Sequence, residues 1–497
     1  MAIKVLSTDQ IREADKFTIR HEPISSTDLM ERAAEACAIW ISDKVRKDLP
    51  LVFFCGTGNN GGDGLAIARL LSIHGFSTID IRIAGDPETG SNDFQINLER
   101  LREVNITATC ITEPEDLHGI PSHAVLIDAL LGNGLNRPVD GLYLKIVHFI
   151  NTLSNEVISI DIPSGMFGED NSSNSIDGIV LATHTLTFQQ PKLAFLLSDA
   201  GERSGSWHIL DIGLSKAFID TAPSTFYLST KEDIEQLEPE RKKFSHKGTY
   251  GHALLVAGSK GMVGAAVLAT RAALRSGVGL VTTMAPRCGY SILQSTAPEA
   301  ICMDCGSENT VSGKTDWSRF DAIGIGPGIG KDPLALETLS KLLEEYSGFK
   351  VIDADALNLI AENKALLKLV DRKTILTPHP GEFDRLFGKC TSAFKRLLLL
   401  QIKAKEHDCY ILLKGAHTAI SMPNGNIYFN NTGNPGMAKG GSGDVLTGFL
   451  TGKLAALKDP RAASLIAAWR HGDAGEIIAK DLGQELMTAL DLTNFLS

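Results

Sequence analysis

Long apolar runs are absent from this sequence, and none approaches the roughly 18 to 20 residues that a membrane-spanning helix needs. The first seven residues also lack the apolar core of a signal peptide. We therefore expect a cytoplasmic protein with no membrane partner.

Cysteine is scarce, with eight residues in the chain. Most of them, such as Cys37, Cys55 and Cys110, lie in apolar stretches where a buried thiol is the ordinary interpretation, so disulfides are not expected. Cys302 and Cys305 have the spacing of half a zinc site or of a redox pair. Because no second pair or nearby histidine completes such a site, we assign them no role.

An excess of basic residues is also missing. The chain has 48 lysines and arginines against 59 acidic residues, a formal charge of -11. This charge repels phosphate backbones, so no nucleic-acid partner is expected, and any phosphate that the protein binds must be held locally.

The length of 497 residues exceeds what one hydrophobic core usually supports, so two domains are the first expectation, with three left open. Short apolar runs alternate with amphipathic stretches in both halves, which is typical of α/β domains built on parallel sheets. Strands are predicted at residues 51–55, 79–83, 124–128 and 157–161 of the first half, and at 252–257, 279–284, 322–325, 350–353, 374–376 and 410–414 of the second. The pair Asn424-Gly425, between two further apolar runs, predicts a hairpin turn. Apolar periodicity fades into the highly charged segment Lys231–Lys243. We place the domains at residues 1–225 and 226–497.

A polar, glycine-rich loop follows the clearest strand of the first half, Leu51–Cys55. The loop Gly56–Gly64 carries two asparagines and an aspartate before a helix predicted from about Leu65. It lies where α/β folds place their ligands, but its sequence differs from the G-x-G-x-x-G pattern of a dinucleotide-binding loop. A structural glycine turn is the weaker interpretation, because a turn does not need these amides and the acid together.

Two more strands of the first half end in acids, Asp128 and Asp161. A carboxylate at the end of a buried strand must be paired, solvated or bound to a cation, so each is either a helix cap or a site residue. With Asn60 and the hydroxyl of Ser164 they offer only oxygen ligands, which suit a hard cation rather than zinc.

Together, the segments Asn59–Gly64, Asp128–Gly134 and Asp161–Gly165 resemble the NAD(P)H-hydrate epimerase domain. That family interconverts the R and S forms of NAD(P)H whose nicotinamide ring has been hydrated. The resemblance implies a Rossmann-like three-layer α/β domain and K⁺ bound by Asn60, Asp128 and Ser164. The implied substrate contacts are Asn59, Asn60, Gly61, Gly62, Asp63, Gly132, Asn133, Gly134, Leu135, Asn136, Arg137, Pro138 and Asp161.

Inverting the carbon that bears the hydroxyl group requires proton transfer with ring opening or loss of water, so a carboxylate suits acid–base catalysis. We assign this role to Asp161 as a hypothesis. Asn133 stands where the family pattern leads us to expect threonine.

The second half ends in a glycine-rich loop, Asn434–Asp444, followed by a helix-like run from Val445. Glycines let backbone N–H groups turn toward an anion, and the helix adds its positive N-terminal end there. Asp444 is unfavourable beside a phosphate unless it takes a proton or holds a metal. The loop therefore predicts a general base next to a phosphate-binding segment.

Other strand ends of this half are polar or rich in glycine. Gly326–Gly330 alone favours an ordinary turn, and His379 fits a helix cap or a core position as well as a ligand contact. Lys414, beside Gly415, could neutralise phosphate charge, although a solvated lysine needs no explanation. The remaining segment of this kind is Lys247–His252.

Taken together, these segments resemble the ADP-dependent NAD(P)H-hydrate dehydratase domain, which has a ribokinase-like α/β fold. The resemblance implies Mg²⁺ beside the ADP or ATP co-substrate, and Asp444 as the catalytic base that activates the substrate hydroxyl for phosphorylation. Implied contacts to the hydrated cofactor are Gly328, His379 and Asp444, and those to the nucleotide are Lys414, Gly415, Ala416, His417, Thr418 and Gly443.

These two resemblances cover nearly the whole chain and imply a fused repair enzyme acting on hydrated NADH and NADPH, with ADP converted to AMP and phosphate. We expect a homo-oligomer. The leading alternative, a ribokinase-like kinase for a small alcohol or vitamin precursor, leaves the first half unexplained. A non-enzymatic interaction module of RNA metabolism is the other alternative, but a scaffold needs no buried oxygen cage such as Asn60, Asp128 and Asp161.

Overall fold

The protein is described here by a computed structural model that covers residues 2–113, 116–313 and 315–496. It forms two compact units. The N-terminal unit contains Lys4–Ser224 with Ser392–Phe394, and the C-terminal unit contains Thr225–Thr391 and Lys395–Ser497 with the first residues of the chain. The first strand is β1 (Ile3–Lys4), at one edge of the C-terminal sheet.

A seven-stranded sheet in the order β4-β3-β2-β5-β6-β7-β8 forms the centre of the N-terminal unit, and all neighbouring strands are parallel. The strands are β2 (Leu51–Cys55), β3 (Ile79–Ala84), β4 (Ala108–Ile111), β5 (Val125–Ala129), β6 (Val157–Ile160), β7 (His184–Phe188) and β8 (Ser206–Leu210). The helices are α1 (Thr8–His21), α2 (Ser26–Lys44), α3 (Asn59–Ile73), α4 (Asn92–Glu103), α5 (Gly141–Thr152) and α6 (Lys216–Thr221).

Both faces of this sheet are buried, as expected for a parallel sheet. Along β2, Phe53 packs into a cluster with α2 and α3, whereas the adjacent Val52 and Phe54 pack into a second cluster with α5. Side chains alternate between the two faces of a strand, so adjacent residues supply separate cores. The α/β class predicted for the first half is confirmed.

The prediction for the start of α3 is wrong: the helix begins at Asn59, not near Leu65, so the polar part of the predicted loop forms its first turns. Glycine is tolerated there because the helix packs very close to the strand ends. A Cβ at Gly61 would collide with the carbonyl oxygen of Gly56, and one at Gly64 would approach the Ala129 Cβ to 2.7 Å. Close approach therefore decides the residue type where helix propensity would not.

The C-terminal unit is built on an eleven-stranded sheet in the order β1-β9-β18-β17-β16-β15-β14-β13-β10-β11-β12. Its further strands are β9 (Phe226–Leu228), β10 (His252–Val256), β11 (Leu280–Ala285), β12 (Ile301–Asp304), β13 (Ala322–Ile325), β14 (Phe349–Ile352), β15 (Thr374–Leu376), β16 (Tyr410–Leu413), β17 (Ala419–Ser421) and β18 (Ile427–Phe429). From β16 to β12 all neighbours are parallel, which confirms the α/β class for this half as well.

Two strands of this sheet form the predicted hairpin: β17 and β18 pair antiparallel, and the turn contains Asn424 and Gly425. The left-handed backbone of Gly425, with φ at +88°, explains why a glycine stands at this turn. The predicted hairpin is confirmed.

The helices of the C-terminal unit include one, α7, that lies within the charged segment where periodicity fades. It is stabilised by a capping box between Thr230 and Asp233. The helices are α7 (Lys231–Leu237), α8 (Val263–Arg275), α9 (Arg287–Thr296), α10 (Pro333–Glu345), α11 (Ala354–Glu362), α12 (Pro380–Phe387), α13 (Ala393–Glu406), α14 (Ser442–Leu457), α15 (Pro460–Leu482) and α16 (Ala489–Phe495).

Helix α14 follows the predicted phosphate loop and packs closely on α8. A Cβ at Gly448 would collide with the backbone of Ala269, and one at Gly452 would collide with the hydroxyl of Ser276. The glycines let the two helices approach at backbone distance, which fixes the position of the N-terminus of α14.

We expect Gly448→Ala to lower the free energy of unfolding of the C-terminal unit by about 1–3 kcal/mol, because the added methyl group overpacks a backbone contact. Hydrogen exchange of α8 and α14 peptides at increasing urea concentration measures this change. The matched control is Gly264→Ala on α8, where a Cβ meets no atom within 4 Å. Equal stability of the two variants would contradict the packing argument.

Candidate active sites

The N-terminal unit contains a cavity of about 630 Å³ at the carboxyl ends of β2, β5 and β6. This is the edge at which open parallel sheets bind their ligands. The predicted residues that line it are Asn59, Asn60, Asp63, Gly132, Asn133, Gly134, Leu135 and Asp161.

Other predicted contacts do not line this cavity. Gly61 packs on the backbone of Gly56, and Gly62 packs on Met30 and α4. Asn136, Arg137 and Pro138 are exposed and lie outside the lining. Asn133, at the position where threonine was expected, accepts a hydrogen bond of 3.2 Å from the Thr8 hydroxyl.

Asp161 forms a buried ion pair at the end of β6. Its carboxylate accepts a hydrogen bond of 2.8 Å from the Lys192 ammonium group and one of 3.3 Å from the Phe188 N–H. The Lys192 side chain is only 1 % exposed. Asp161 also has a left-handed backbone, with φ at +64°, a conformation that is rare outside glycine and occurs at functional sites.

Three further carboxylates line the cavity, those of Asp15, Asp63 and Asp93. Of these, only Asp63 is a predicted site residue. Burial, followed by the charge of Asp161, raises the pKa of Asp63 well above its usual range. The same two causes raise the pKa of Asp15 to about 6, while Lys192 opposes the rise. Asp93 accepts hydrogen bonds of 2.6 Å from the hydroxyls of Ser26 and Thr27.

Asp15 and Lys192 were both missed. Asp15 lies on α1, and an acid on an amphipathic helix gives no sign in the sequence of which surface it faces. Lys192 offered a signal, because it closely follows the end of β7, at the same sheet edge as Asp161. A lysine after a buried strand is the natural counter-ion for the acids of neighbouring strand ends.

Behind the cavity, Asp128 and Ser164 are joined by hydrogen bonds. The Asp128 carboxylate accepts one of 2.5 Å from the Ser164 hydroxyl, one of 2.9 Å from the Ser164 N–H and one of 2.7 Å from Ser159. Burial raises the pKa of Asp128, and these hydrogen bonds oppose the rise. The buried amide oxygen and nitrogen of Asn60 have no hydrogen-bond partner among the described residues.

In the C-terminal unit, Asp444 lies in the first turn of α14, directly after the predicted glycine loop. Gly441 precedes this helix with φ at +95°, and a Cβ there would approach Leu268 and Ala489 to within 2.8 Å. The N–H groups of a first helical turn lack partners within the helix, so they can face an anion. Burial and then the charge of Asp353 raise the pKa of Asp444 to about 6, and Lys414 opposes the rise.

Lys414 is anchored by two acids, Asp353 and Glu382, that the sequence motifs do not mark as site residues. Its ammonium group donates a hydrogen bond of 2.7 Å to Asp353, whose side chain is 1 % exposed, and lies 4.0 Å from Glu382. The Thr447 hydroxyl donates a 2.6 Å hydrogen bond to the other oxygen of Asp353. A signal existed: Asp353 immediately follows β14, as Asp161 follows β6.

His379 caps helix α12. Its Nδ1 accepts hydrogen bonds from the N–H groups of Gly381, at 3.0 Å, and Glu382, at 3.4 Å. The side chain is half exposed, so capping leaves its Nε2 edge accessible, 3.4 Å from Glu382. The capping alternative is therefore realised, and a ligand contact of His379 stays a prediction.

The other predicted contacts are loop residues. Gly328 has φ at +62°, and its carbonyl accepts a 2.8 Å hydrogen bond from Ser259. Gly415 and Ala416 are exposed. The Thr418 hydroxyl bonds the Gly415 carbonyl at 3.2 Å. Burial lowers the pKa of His417, whose Nδ1 lies 3.4 Å from the Asn430 carbonyl.

In the described part of the chain, no three histidine, cysteine or acidic side chains are grouped to hold a metal ion. Cys302 and Cys305 are free thiols. Within the same residue ranges, no helix combines the length and apolarity needed to cross a bilayer.

We expect Lys192→Met to lower the free energy of unfolding of the N-terminal unit by about 3–5 kcal/mol. The substitution removes the buried partner of Asp161 and leaves its carboxylate unpaired inside the protein. Adding Asp161→Asn should recover most of this loss. The control is Lys16→Met, which breaks an exposed pair with Glu13 and should leave the free energy of unfolding almost unchanged. Urea unfolding followed by hydrogen exchange measures these variants together with the Asp161→Asn single variant, and additive effects in the double variant would contradict the pairing.

Comparison with known proteins assigns the two units to two protein families. Residues 253–497 match the family model described as NAD(P)H-hydrate dehydratase, and residues 26–194 match the model described as YjeF-related protein N-terminus. A structure of the ADP/ATP-dependent NAD(P)H-hydrate dehydratase from Bacillus subtilis, co-crystallised with ATP and Mg²⁺, is 34% identical and covers 54% of this chain and 95% of that chain, with a TM-score of 0.46.

Two relatives match across both units. The bifunctional NAD(P)H-hydrate repair enzyme of Moorella thermoacetica is 34% identical over 90% of this chain and 86% of its own length. That of Thermofilum pendens is 32% identical over 99% of this chain and 95% of its own length. These matches confirm the resemblance drawn from the motifs of both halves, and the chain belongs to the family of bifunctional NAD(P)H-hydrate repair enzymes.

Proposed function

We propose that residues 1–225 interconvert the R and S forms of hydrated NADH and NADPH, and that residues 226–497 dehydrate the S form with ADP or ATP as phosphoryl donor. The observation that carries the dehydratase half is the position of Asp444. An ionisable carboxyl group with a pKa of about 6 lies in the first turn of α14, close enough to Asp353 and Lys414 for their charges to act on it. The proposed base Asp444, the Lys414 ammonium group and the first turn of α14, which is proposed to bind phosphate, therefore lie in one region of the unit.

In this proposal Asp444 takes the proton of the substrate hydroxyl as its oxygen attacks the terminal phosphoryl group of the nucleotide. AMP leaves when ADP is the donor. The bond between the ring carbon and the phosphate oxygen then breaks, and phosphate leaves with the electron pair. The neighbouring ring carbon loses a proton, which restores the ring double bond. Phosphoryl transfer depends mainly on positioning and charge stabilisation, which the backbone at Gly441–Gly443 and the Lys414 ammonium group would supply.

The nucleotide contacts of this proposal are Lys414–Thr418 and Gly443, and the hydrated cofactor would contact Gly328, His379 and Asp444. A Cβ at Gly443 would lie 3.5 Å from the Lys414 ammonium group and 3.9 Å from Asp353, so this glycine adjoins the charged pair. Mg²⁺ usually relies on substrate phosphates and water with few protein ligands, and this fits a site that offers acids but no preformed cage. Bound there, Mg²⁺ would neutralise phosphate charge.

For the epimerase half, eight of the predicted cofactor contacts line one cavity beside the Asp161–Lys192 pair, and Asp161 is proposed to move the proton. The unpartnered buried amide of Asn60 fits an ion ligand, and Asp128 and Ser164 complete the proposed K⁺ set. K⁺ would supply a fixed positive charge for the substrate. Gly61, Gly62 and Asn136–Pro138 remain proposed contacts, although they lie outside the cavity lining.

The decisive test incubates the protein with a mixture of R and S hydrated NADH, with and without ADP or ATP, and follows the absorbance band of reduced nicotinamide. We expect full recovery only with a nucleotide. Asp444→Asn should abolish recovery but leave epimerisation, and Asp161→Asn should restrict recovery to the S form. No recovery with either nucleotide would reject the proposal.

The raised pKa of Asp444 predicts the pH dependence of dehydration. A base must be ionised, so kcat/KM for the S form should fall about tenfold per pH unit below about 6 and level off above it. Lys414→Met should move this limb to higher pH, because Lys414 lowers the pKa of Asp444. Rates at saturating nucleotide from pH 4.5 to 8 on the wild type and the variant test this, and an unmoved limb would show that the charge of Lys414 does not act on Asp444.

A cytoplasmic location and a homo-oligomeric assembly belong to the same proposal. Light scattering of the purified chain tests the assembly.

A further inference from the structure

Asp15 is a carboxylate of the epimerase cavity that the proposed mechanism does not use. It lies at the middle of α1, a helix fixed by a capping box between Ser7 and Gln10 and anchored by the buried Ile11 and Ala14. The residue lines the cavity and is half-buried. It also precedes the segment that the family model matches, residues 26–194.

Among the described residues, the Asp15 carboxylate forms no hydrogen bond or ion pair, whereas the nearby Asp161 and Asp93 are both held by donors. An unpaired carboxyl group inside a cavity is unfavourable unless it holds a proton or meets a ligand. Asp15 is therefore free to act on whatever molecule fills the cavity.

The charged groups around Asp15 lie on several of the elements that form the cavity. Asp161 follows β6, Asp63 lies on α3 and Asp93 on α4, and the buried lysine whose charge acts on Asp15 is Lys192, after β7. Arg12 and Lys16, on the same helix as Asp15, are exposed. Burial and the charge of Asp161 favour retention of a proton by Asp15, and Lys192, which pairs with Asp161, opposes them only in part.

Two of these carboxyl groups could hold that proton, and their positions separate them. Asp63 is almost fully buried in the first turns of α3, and its pKa is raised well above the usual range, so it releases a proton reluctantly. Asp15 is reached from the cavity, and its pKa is raised only to about 6. An acid of that strength can both give and recover a proton near neutral pH.

We propose that Asp15 is the general acid of epimerisation and forms a catalytic pair with Asp161 as base. This inference rests on the proposed epimerase activity. Asp161 takes the proton of the substrate hydroxyl, Asp15 gives its proton to the ring nitrogen, and the bond between that nitrogen and the hydroxyl-bearing carbon breaks to leave a carbonyl group. After rotation, the nitrogen attacks the other face of the carbonyl carbon, returns its proton to Asp15, and the oxygen regains the proton from Asp161. No oxidant or other reactant is consumed.

The test uses the full chain and the R form of hydrated NADH, and measures kcat/KM for formation of the S form. Asp15→Asn should lower kcat/KM at least about 100-fold, because general acid catalysis contributes about that much or more. Asp15→Glu, which keeps the acid, should retain activity within about tenfold. Glu13→Gln, two residues away on the same helix and exposed, should match the wild type.

The pH profile of epimerisation distinguishes general acid catalysis by Asp15 from a purely structural role. An acid must be protonated, so the wild-type kcat/KM for epimerisation should decline above about pH 6, and this alkaline limb should disappear in Asp15→Asn. If Asp15→Asn does not fold, the wild-type limb and the Asp15→Glu variant still decide the matter. An Asp15→Asn enzyme with near wild-type rate or an unchanged limb would overturn the inference, whereas a wild type that interconverts neither form would instead overturn the proposed function.

Discussion

Burial of parallel sheets on both faces is the constraint on which the rest of this protein depends. Strand β2 is apolar along its length, and the polar groups that could meet a ligand are concentrated where strands end. In a parallel sheet these ends share one edge, and acids from different strands therefore meet. Asp161 with Lys192 and Asp353 with Lys414 are two solutions to the same problem, each a carboxylate neutralised by a lysine that follows another strand of the same sheet.

Much of the fold followed from sequence because strands and helices have distinct apolar periods. The predicted strands of both halves occur within one or two residues of their expected bounds, and the Asn424–Gly425 hairpin forms as its turn chemistry requires. The start of α3 was not predictable in the same way. Glycines normally end a helix, and only the close approach to Gly56 and Ala129 in the folded unit makes them acceptable inside one.

The sites were predictable where a residue belongs to a strand-end motif and were missed where it does not. Asp444, Asn60 and Asp161 lie in glycine-rich motifs, and the order of residues in these motifs indicates a binding site. Asp15 stands in an ordinary amphipathic helix, and its place at the cavity depends on tertiary packing alone. Lys192 and Asp353 lie between these two cases. The sequence shows that each follows a strand, but it does not show which charged residue each one pairs with.

The pairing of β9 with β18 also affects how the chain reaches this structure. Phe226, from the very start of the C-terminal unit, pairs with Ile427, from near its end, so the sheet cannot be completed until almost the whole unit has left the ribosome. Contacts this distant in sequence close slowly. The N-terminal unit, apart from Ser392–Phe394, is synthesised before that point. We therefore expect sequential maturation, and the interval most open to aggregation is the one in which β9 has been synthesised but its partner β18 has not.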